Sequence, residues 1–95
     1  QKARTANKVD INPNAEIIKN QTKLTWSVAS QVNNDRYIIE YSTDGRSWQE
    51  LGRIDGDGTS TKEKSYEYIH DRPLIGINYY RIKQVDYDGQ YSYSD

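Results

Sequence analysis

From Ala15 to the end of the chain the apolar side chains follow a period of two. That is the spacing of a strand with one face inside and one outside, and no stretch keeps a helical period over three turns. TKLTWSV (22–28) is the clearest case: Leu24, Trp26 and Val28 share one face, and Lys23, Thr25 and Ser27 the other. RYIIEYS (36–42) places Tyr37, Ile39 and Tyr41 on one face, with Ile38 and Glu40 opposite. AEIIK (15–19), SWQELGRI (47–54), SYEYIHD (65–71), INYYRIKQV (77–85) and QYSYSD (90–95) complete a set of about seven short strands. Regular short strands with turn signals between them predict an all-β, antiparallel β-sandwich.

Four of the 6 glycines follow an Asp, which reads as turn chemistry with positive φ at the glycine. Asp44-Gly45 predicts a two-residue hairpin loop that sets Trp48 opposite Tyr41. Leu51 and Ile54 share a face only if a bulge lies near Gly52. Asp88-Gly89 predicts the last hairpin. ASQVNND (29–35) reads as a polar loop, DGDGTSTKEK (55–64) as a long flexible loop, and RPLIG (72–76) as a turn. Residues 1–14 are polar and read as a linker or flexible arm, in which Val9 and Ile11 alternate as a short edge strand would. Residues 15–95 are then one sandwich domain.

Apolar residues are only 34% of the chain, and mean hydropathy is -1.07. Those values alone suggest disorder, but aromatics reach 12%, with 9 Tyr and 2 Trp. Disordered chains are poor in aromatics, and a few large rings build a core from few positions. Net charge is -1, with 13 basic and 14 acidic residues spread along the chain. No basic stripe follows a phosphate backbone, so nucleic acid is not an expected partner. No apolar run has membrane-spanning length, so no membrane insertion is expected. Cysteine is absent, which excludes disulfides and thiolate metal sites. Methionine is absent too, even at position 1, which reads as a piece of a longer protein.

The parity of 79–85 can be decided by charge. Turning Tyr79, Arg81 and Lys83 inward would bury two cations, at several kcal/mol each. Tyr80, Ile82 and Gln84 therefore face the core, and Tyr79 faces out. A loop of two or four residues at Asp88-Gly89 sends Tyr91 and Tyr93 to the core face, whereas a three-residue loop with a bulge reverses them. The even-length loop is the expectation. Leu74 and Tyr80 are spaced as in the tyrosine corner of immunoglobulin-like sandwiches, where a Tyr hydroxyl bonds back to the chain. Trp26, Tyr37, Tyr41, Leu74, Tyr80 and Ile82 are accordingly assigned structural roles.

LTW at 24–26, the 33–60 stretch running NND, YIIEYSTDG and SW, and SYEYIHDRPLIGINYYRIKQVDYDGQYSYS at 65–94 together resemble a family of domains. These are the fibronectin-type-III-like (immunoglobulin-like) domains of secreted and surface proteins of Bacteroidetes bacteria. The likeness covers about residues 22–95, with Tyr79 to Ser94 its most specific part. It implies a domain near the C-terminus of a long protein, often followed by a sorting tail for type IX secretion. It also implies an extracellular or cell-surface location, and a spacer or interaction role without an activity of its own. This chain has Tyr37 and Trp48 where the family usually has Phe, and Gln31 where it often has Glu. No sorting tail follows Asp95: either the chain is a trimmed fragment, or a short last strand leaves an edge open to pairing between copies.

The candidate sites follow from these faces. The fold implied by the resemblance pairs 36–42 with 77–85, which puts Ile38, Glu40, Tyr79, Arg81 and Lys83 on one outer face. Exposed aromatics beside polar groups suit a glycan or a surface protein. Ordinary cross-strand packing, with Arg81 and Lys83 covering Tyr79 and pairing with Glu40, is the plainer reading. Asp55 and Asp57 in DGDG resemble the start of a calcium loop, but the closing Glu of an EF-hand is missing, and a flexible turn is the reading adopted. Asp86 and Asp88 form a second acidic pair of the same kind. His70 and Asp71 are strand neighbours that point to opposite faces, so they make no dyad. No serine sits in a nucleophile elbow. NQT (20–22) matches a glycosylation acceptor; in a bacterial protein, as the resemblance implies, that match is chance. The sequence thus predicts a non-catalytic module without cofactor. Its expected partners are the neighbouring domains of a parent chain, and its second reading is a glycan- or protein-binding module using the Tyr79/Arg81 face.

Overall fold

The computed structural model describes residues 14–18, 21–71 and 78–94. Every regular element among them is a strand: β1 (Asn14–Ile18), β2 (Gln21–Val28), β3 (Gln31–Ser42), β4 (Gln49–Ser60), β5 (Lys64–Asp71), β6 (Tyr79–Asp86) and β7 (Tyr91–Tyr93). They form two antiparallel sheets, ordered β1-β2-β5 and β4-β3-β6-β7. The sheets pack face to face in an all-β, sandwich-like architecture. Of the predicted arm, only Asn14 is described, as the start of β1. Val9, Ile11, Leu74 and the 72–76 turn lie outside the described residues.

The alternation of β2 sets the inner face. Leu24, Trp26 and Val28 are fully buried, and they meet Tyr37, Ile39 and Ile82 of the other sheet. Trp26 and Tyr66 are directly opposite across β2 and β5, with rings stacked at 5.8 Å. Tyr37 reaches from β3 against both, at 4.7 Å from Tyr66 and 5.6 Å from Trp26. Such pairs add about 0.5–1.5 kcal/mol each beyond the burial of their area. Burial, followed by the neighbouring Tyr66, pushes the Tyr37 phenol well above its ordinary range, so it stays neutral in the core.

Both predicted polar loops are largely strand. β3 begins at Gln31 and β4 runs on to Ser60, so neither 29–35 nor 55–64 is the loop the sequence suggested. The reason is a buried polar knot. Gln31 Nε2 donates to the Tyr66 hydroxyl at 2.9 Å, while Gln31 Oε1 accepts from Asn34 Nδ2 at 2.6 Å and from the Asp57 amide at 3.0 Å. One buried amide thus joins β3 and β4 to β5, and its polarity is met inside the protein. Gly56 lies against this knot. A Cβ there would stand 2.5 Å from Asn34 Nδ2 and 2.7 Å from the Asn34 carbonyl. Unlike Gly45, Gly58 and Gly89, Gly56 has no positive φ, so close approach and not turn chemistry explains it.

The hairpin turns also differ from expectation. β3 and β4 are joined by six residues, 43–48, and Tyr41 pairs with Gln49 instead of Trp48. The predicted bulge beside Gly52 is present: Ile39 pairs with Gly52 and Glu40 with Glu50, which leaves Leu51 as the extra residue. Leu51 and Ile54 consequently both pack on the core. In the last hairpin the Asp86 amide donates to Gln90 O at 2.8 Å and the Gly89 amide to Asp86 O at 2.9 Å. With Gly89 at φ 89, this is a three-residue loop closed by a glycine bulge. An odd loop reverses the parity of β7, so Tyr91 and Tyr93 point out, not into the core.

Two glycine substitutions separate these causes. Gly56→Ala forces a clash with Asn34 and is expected to lose about 1–3 kcal/mol in urea unfolding. Gly89→Ala meets no atom within 4 Å and is expected to lose only the left-handed backbone penalty, about 1 kcal/mol. Equal losses at the two positions would remove the close-approach account of Gly56.

Candidate binding face

Alternation along β6 places Tyr80, Ile82 and Gln84 inside and Tyr79, Arg81 and Lys83 on the outer face of the four-stranded sheet. Ile82 and Gln84 are fully buried, while Tyr79 is 42% exposed. β3 adds Glu40 opposite Arg81 and Ile38 opposite Lys83. Ile38 is only 7% exposed, so it supports this face and does not present a surface. Its flanking residues across the sheet are Lys83 and Arg53, whose long stems can cover it. The reversed parity of β7 brings Tyr91 opposite Val85 and Tyr93 opposite Lys83.

Arg81 is the centre of the arrangement. Its guanidinium carbon lies 4.3 Å from the Trp48 ring centroid and 3.9 Å from that of Tyr93. Its Nε donates to Glu40 Oε1 at 2.6 Å. A guanidinium is planar and weakly hydrated, so it can meet ring faces while its edge holds a carboxylate. One side chain therefore ties β3, β6, β7 and the 43–48 loop together. Lys83 continues the row, with Nζ 4.1 Å from the Tyr91 centroid and 5.8 Å from that of Tyr93. Tyr91 and Tyr93 meet edge to face at 5.5 Å. They remain 52% and 36% exposed, so the rings are accessible as well as packed. The Tyr79 ring lies over Gly45, 3.8 Å from where a Cβ at that glycine would stand, an ordinary contact distance.

Trp48 reaches Arg81 because its loop is built on one carboxylate. Asp44 Oδ1 accepts the amides of Arg46 at 2.8 Å and Ser47 at 2.9 Å, and the Ser42 hydroxyl at 2.8 Å. The Ser42 oxygen in turn accepts the amides of Asp44 and Gly45. These bonds turn the backbone where no strand ladder does. They also favour the ionised carboxyl, first through the Ser47 amide and then through that of Arg46, and bring its pKa down to about 2.

The remaining predicted residues lie apart from this cluster, although Asp55, opposite Arg36, shares the outer face. Asp55 and Asp57 are exposed on β4, and Asp57 stands 3.4 Å from Lys64 Nζ. Among the described residues no three His, Asp or Glu side chains gather as a metal would need. Leu74, the expected anchor of the tyrosine corner, is outside the described residues. The Tyr80 hydroxyl lies 2.8 Å from His70 Nδ1, a hydrogen bond whose donor is set by the imidazole tautomer. His70 also meets the Tyr41 ring at 4.8 Å. Desolvation lowers the His70 pKa against the smaller pull of Asp71, and it raises that of Tyr80. A neutral imidazole joining the two sheets is a packing element.

Sequence reasoning did not bring Trp48, Tyr91 and Tyr93 to this face. A signal was available. Placing Tyr91 and Tyr93 outward gives Lys83 and Arg81 ring partners across the sheet, whereas the even loop leaves both cations uncovered. Compared with known proteins, the chain matches no family model, and neither a curated protein nor a solved structure matches it.

The Asp44 carboxylate gives a pH test of the loop. Its folded pKa of about 2 lies below the ordinary 3.8. The stabilisation is present above the ordinary value and is lost as pH falls through the folded one. The Arg46 and Ser47 amide resonances are expected to titrate together with a midpoint of about 2. A midpoint near the ordinary value would show that the carboxylate does not hold the loop.

Proposed function

We propose that the chain is a non-catalytic module of the immunoglobulin or fibronectin-type-III kind, one domain of a larger secreted or cell-surface bacterial protein. It meets its partners through the outer face of the four-stranded sheet. The observation that carries this reading is the gathering of Trp48, Tyr79, Arg81, Lys83, Tyr91 and Tyr93 on that face. Trp, Tyr and Arg are the side chains that dominate contact surfaces, and exposed rings collected in one place are more informative than scattered ones. The division into three-stranded and four-stranded antiparallel sheets supports the fold assignment, as does the resemblance carried by residues 22–95.

A second reading, a spacer that only holds neighbouring domains apart, draws support from the same contacts. Arg81 and Lys83 already lie against rings, and that packing stabilises the sheet without any ligand. A glycan array on the chain, beside Tyr79→Ala and Tyr91→Ala variants, decides between the two. Binding that both variants lose at unchanged melting temperature is the expected result. An array without signal would favour the spacer.

A further inference from the structure

Four cations lie on the outer face of the four-stranded sheet, and they are not alike. Arg36 pairs with Asp35 at 2.6 Å, Arg53 with Glu50 at 3.0 Å and Arg81 with Glu40 at 2.6 Å. Lys83 has rings beside it and, among the described residues, no carboxylate. A ring occupies one side of an ammonium and leaves its other donors free. Lys83 is thus, among the described residues, the cation of this face without a carboxylate at ion-pair distance, set beside the two outward tyrosines of β7, while the carboxylate of Asp55 lies on the same face opposite Arg36. Among the described residues, the exposed apolar side chains around Lys83 are aromatic. Ile38 and Val85, the aliphatic residues there, are buried, whereas Tyr79, Tyr91 and Tyr93 are exposed and end in hydroxyls. Sugars offer C–H faces to rings and hydroxyls to phenols.

We propose that this face takes an anionic polysaccharide, a carboxylate-bearing polymer of the polyuronate class, with Lys83 meeting the carboxylate and Tyr91 and Tyr93 stacking on the sugar rings. The proposal rests on the contact-face reading above and narrows it to a ligand class. Arg81 is a positioning residue here: held by Glu40, Trp48 and Tyr93, it fixes the Tyr93 ring beside Lys83. The Lys83 ammonium makes charge, not shape alone, the property that discriminates among glycans.

A matched pair of polymers isolates that charge. Titration calorimetry with polygalacturonate and with its fully methyl-esterified form compares the same backbone with and without carboxylates. Binding to the acid form, absent or much weaker for the ester and falling with added salt, is expected. Lys83→Gln should weaken it about three- to tenfold, in the range of an exposed charge contact. Tyr91→Ala should weaken both forms. Lys83→Gln changes an outward side chain, and its circular dichroism should match the parent chain. Equal binding of acid and ester, insensitive to Lys83→Gln but lost in Tyr91→Ala, would overturn the anionic ligand and keep the contact face. Binding of polyglutamate in place of either polymer would overturn the saccharide in favour of an acidic protein segment. Binding of none of the three would overturn the anionic ligand and leave the contact face to be decided by the glycan array.

Discussion

Three rings hold the two sheets at their centre. Trp26 and Tyr66 stack across β2 and β5, and Tyr37 enters from β3 against both. The chain has no Phe and few aliphatic residues, so these large side chains supply interior volume that many small ones would otherwise provide. The polar end of Tyr66 shapes what lies around it. The Tyr66 hydroxyl needs a buried partner and takes the Gln31 amide. Gln31 then orders Asn34 and the Asp57 backbone, which turns two polar segments into strand. The length of the β3–β4 hairpin thus follows from a phenol in the core.

Much of the inner face was legible because its signal is local. Leu24, Trp26 and Val28 are one alternating run, and burying Arg81 and Lys83 is costly enough to fix the parity of β6 without knowing the fold. The bulge beside Gly52 was legible for the same reason, since two apolar residues had to share a face. The long-range features were not. Polar ASQVNND and DGDGTSTKEK read as loops because composition cannot reveal that Gln31 Oε1 accepts from Asn34 and from the Asp57 amide in the interior. Trp48 was misplaced because Asp44-Gly45 looks like a complete two-residue turn, whereas the Asp44 side chain organises a longer one.

The outer face differs from the core in what builds it. In the core, apolar area leaves water and direction matters little. On the outer face direction matters, because a guanidinium gains from rings only above their faces and from a carboxylate only along its edge. Arg81 satisfies both conditions at once. It draws the short strand β7, with three residues, onto the sheet through a side chain as well as through the ladder. The contacts that shape the face therefore also hold the end of the sheet.

The three-residue turn of Tyr87, Asp88 and Gly89 has an evolutionary reach beyond its size. It acts as a parity bit for β7. Loss or gain of a single codon there would send Ser92 outward and point both tyrosines at a core that is already filled. Related chains that differ by one residue in this turn would present Ser92 in place of Tyr91 and Tyr93, with Trp48 and Tyr79 left as the rings of that face. Length variation, more than substitution, is then the shortest mutational route by which this sheet changes what it offers to its surroundings.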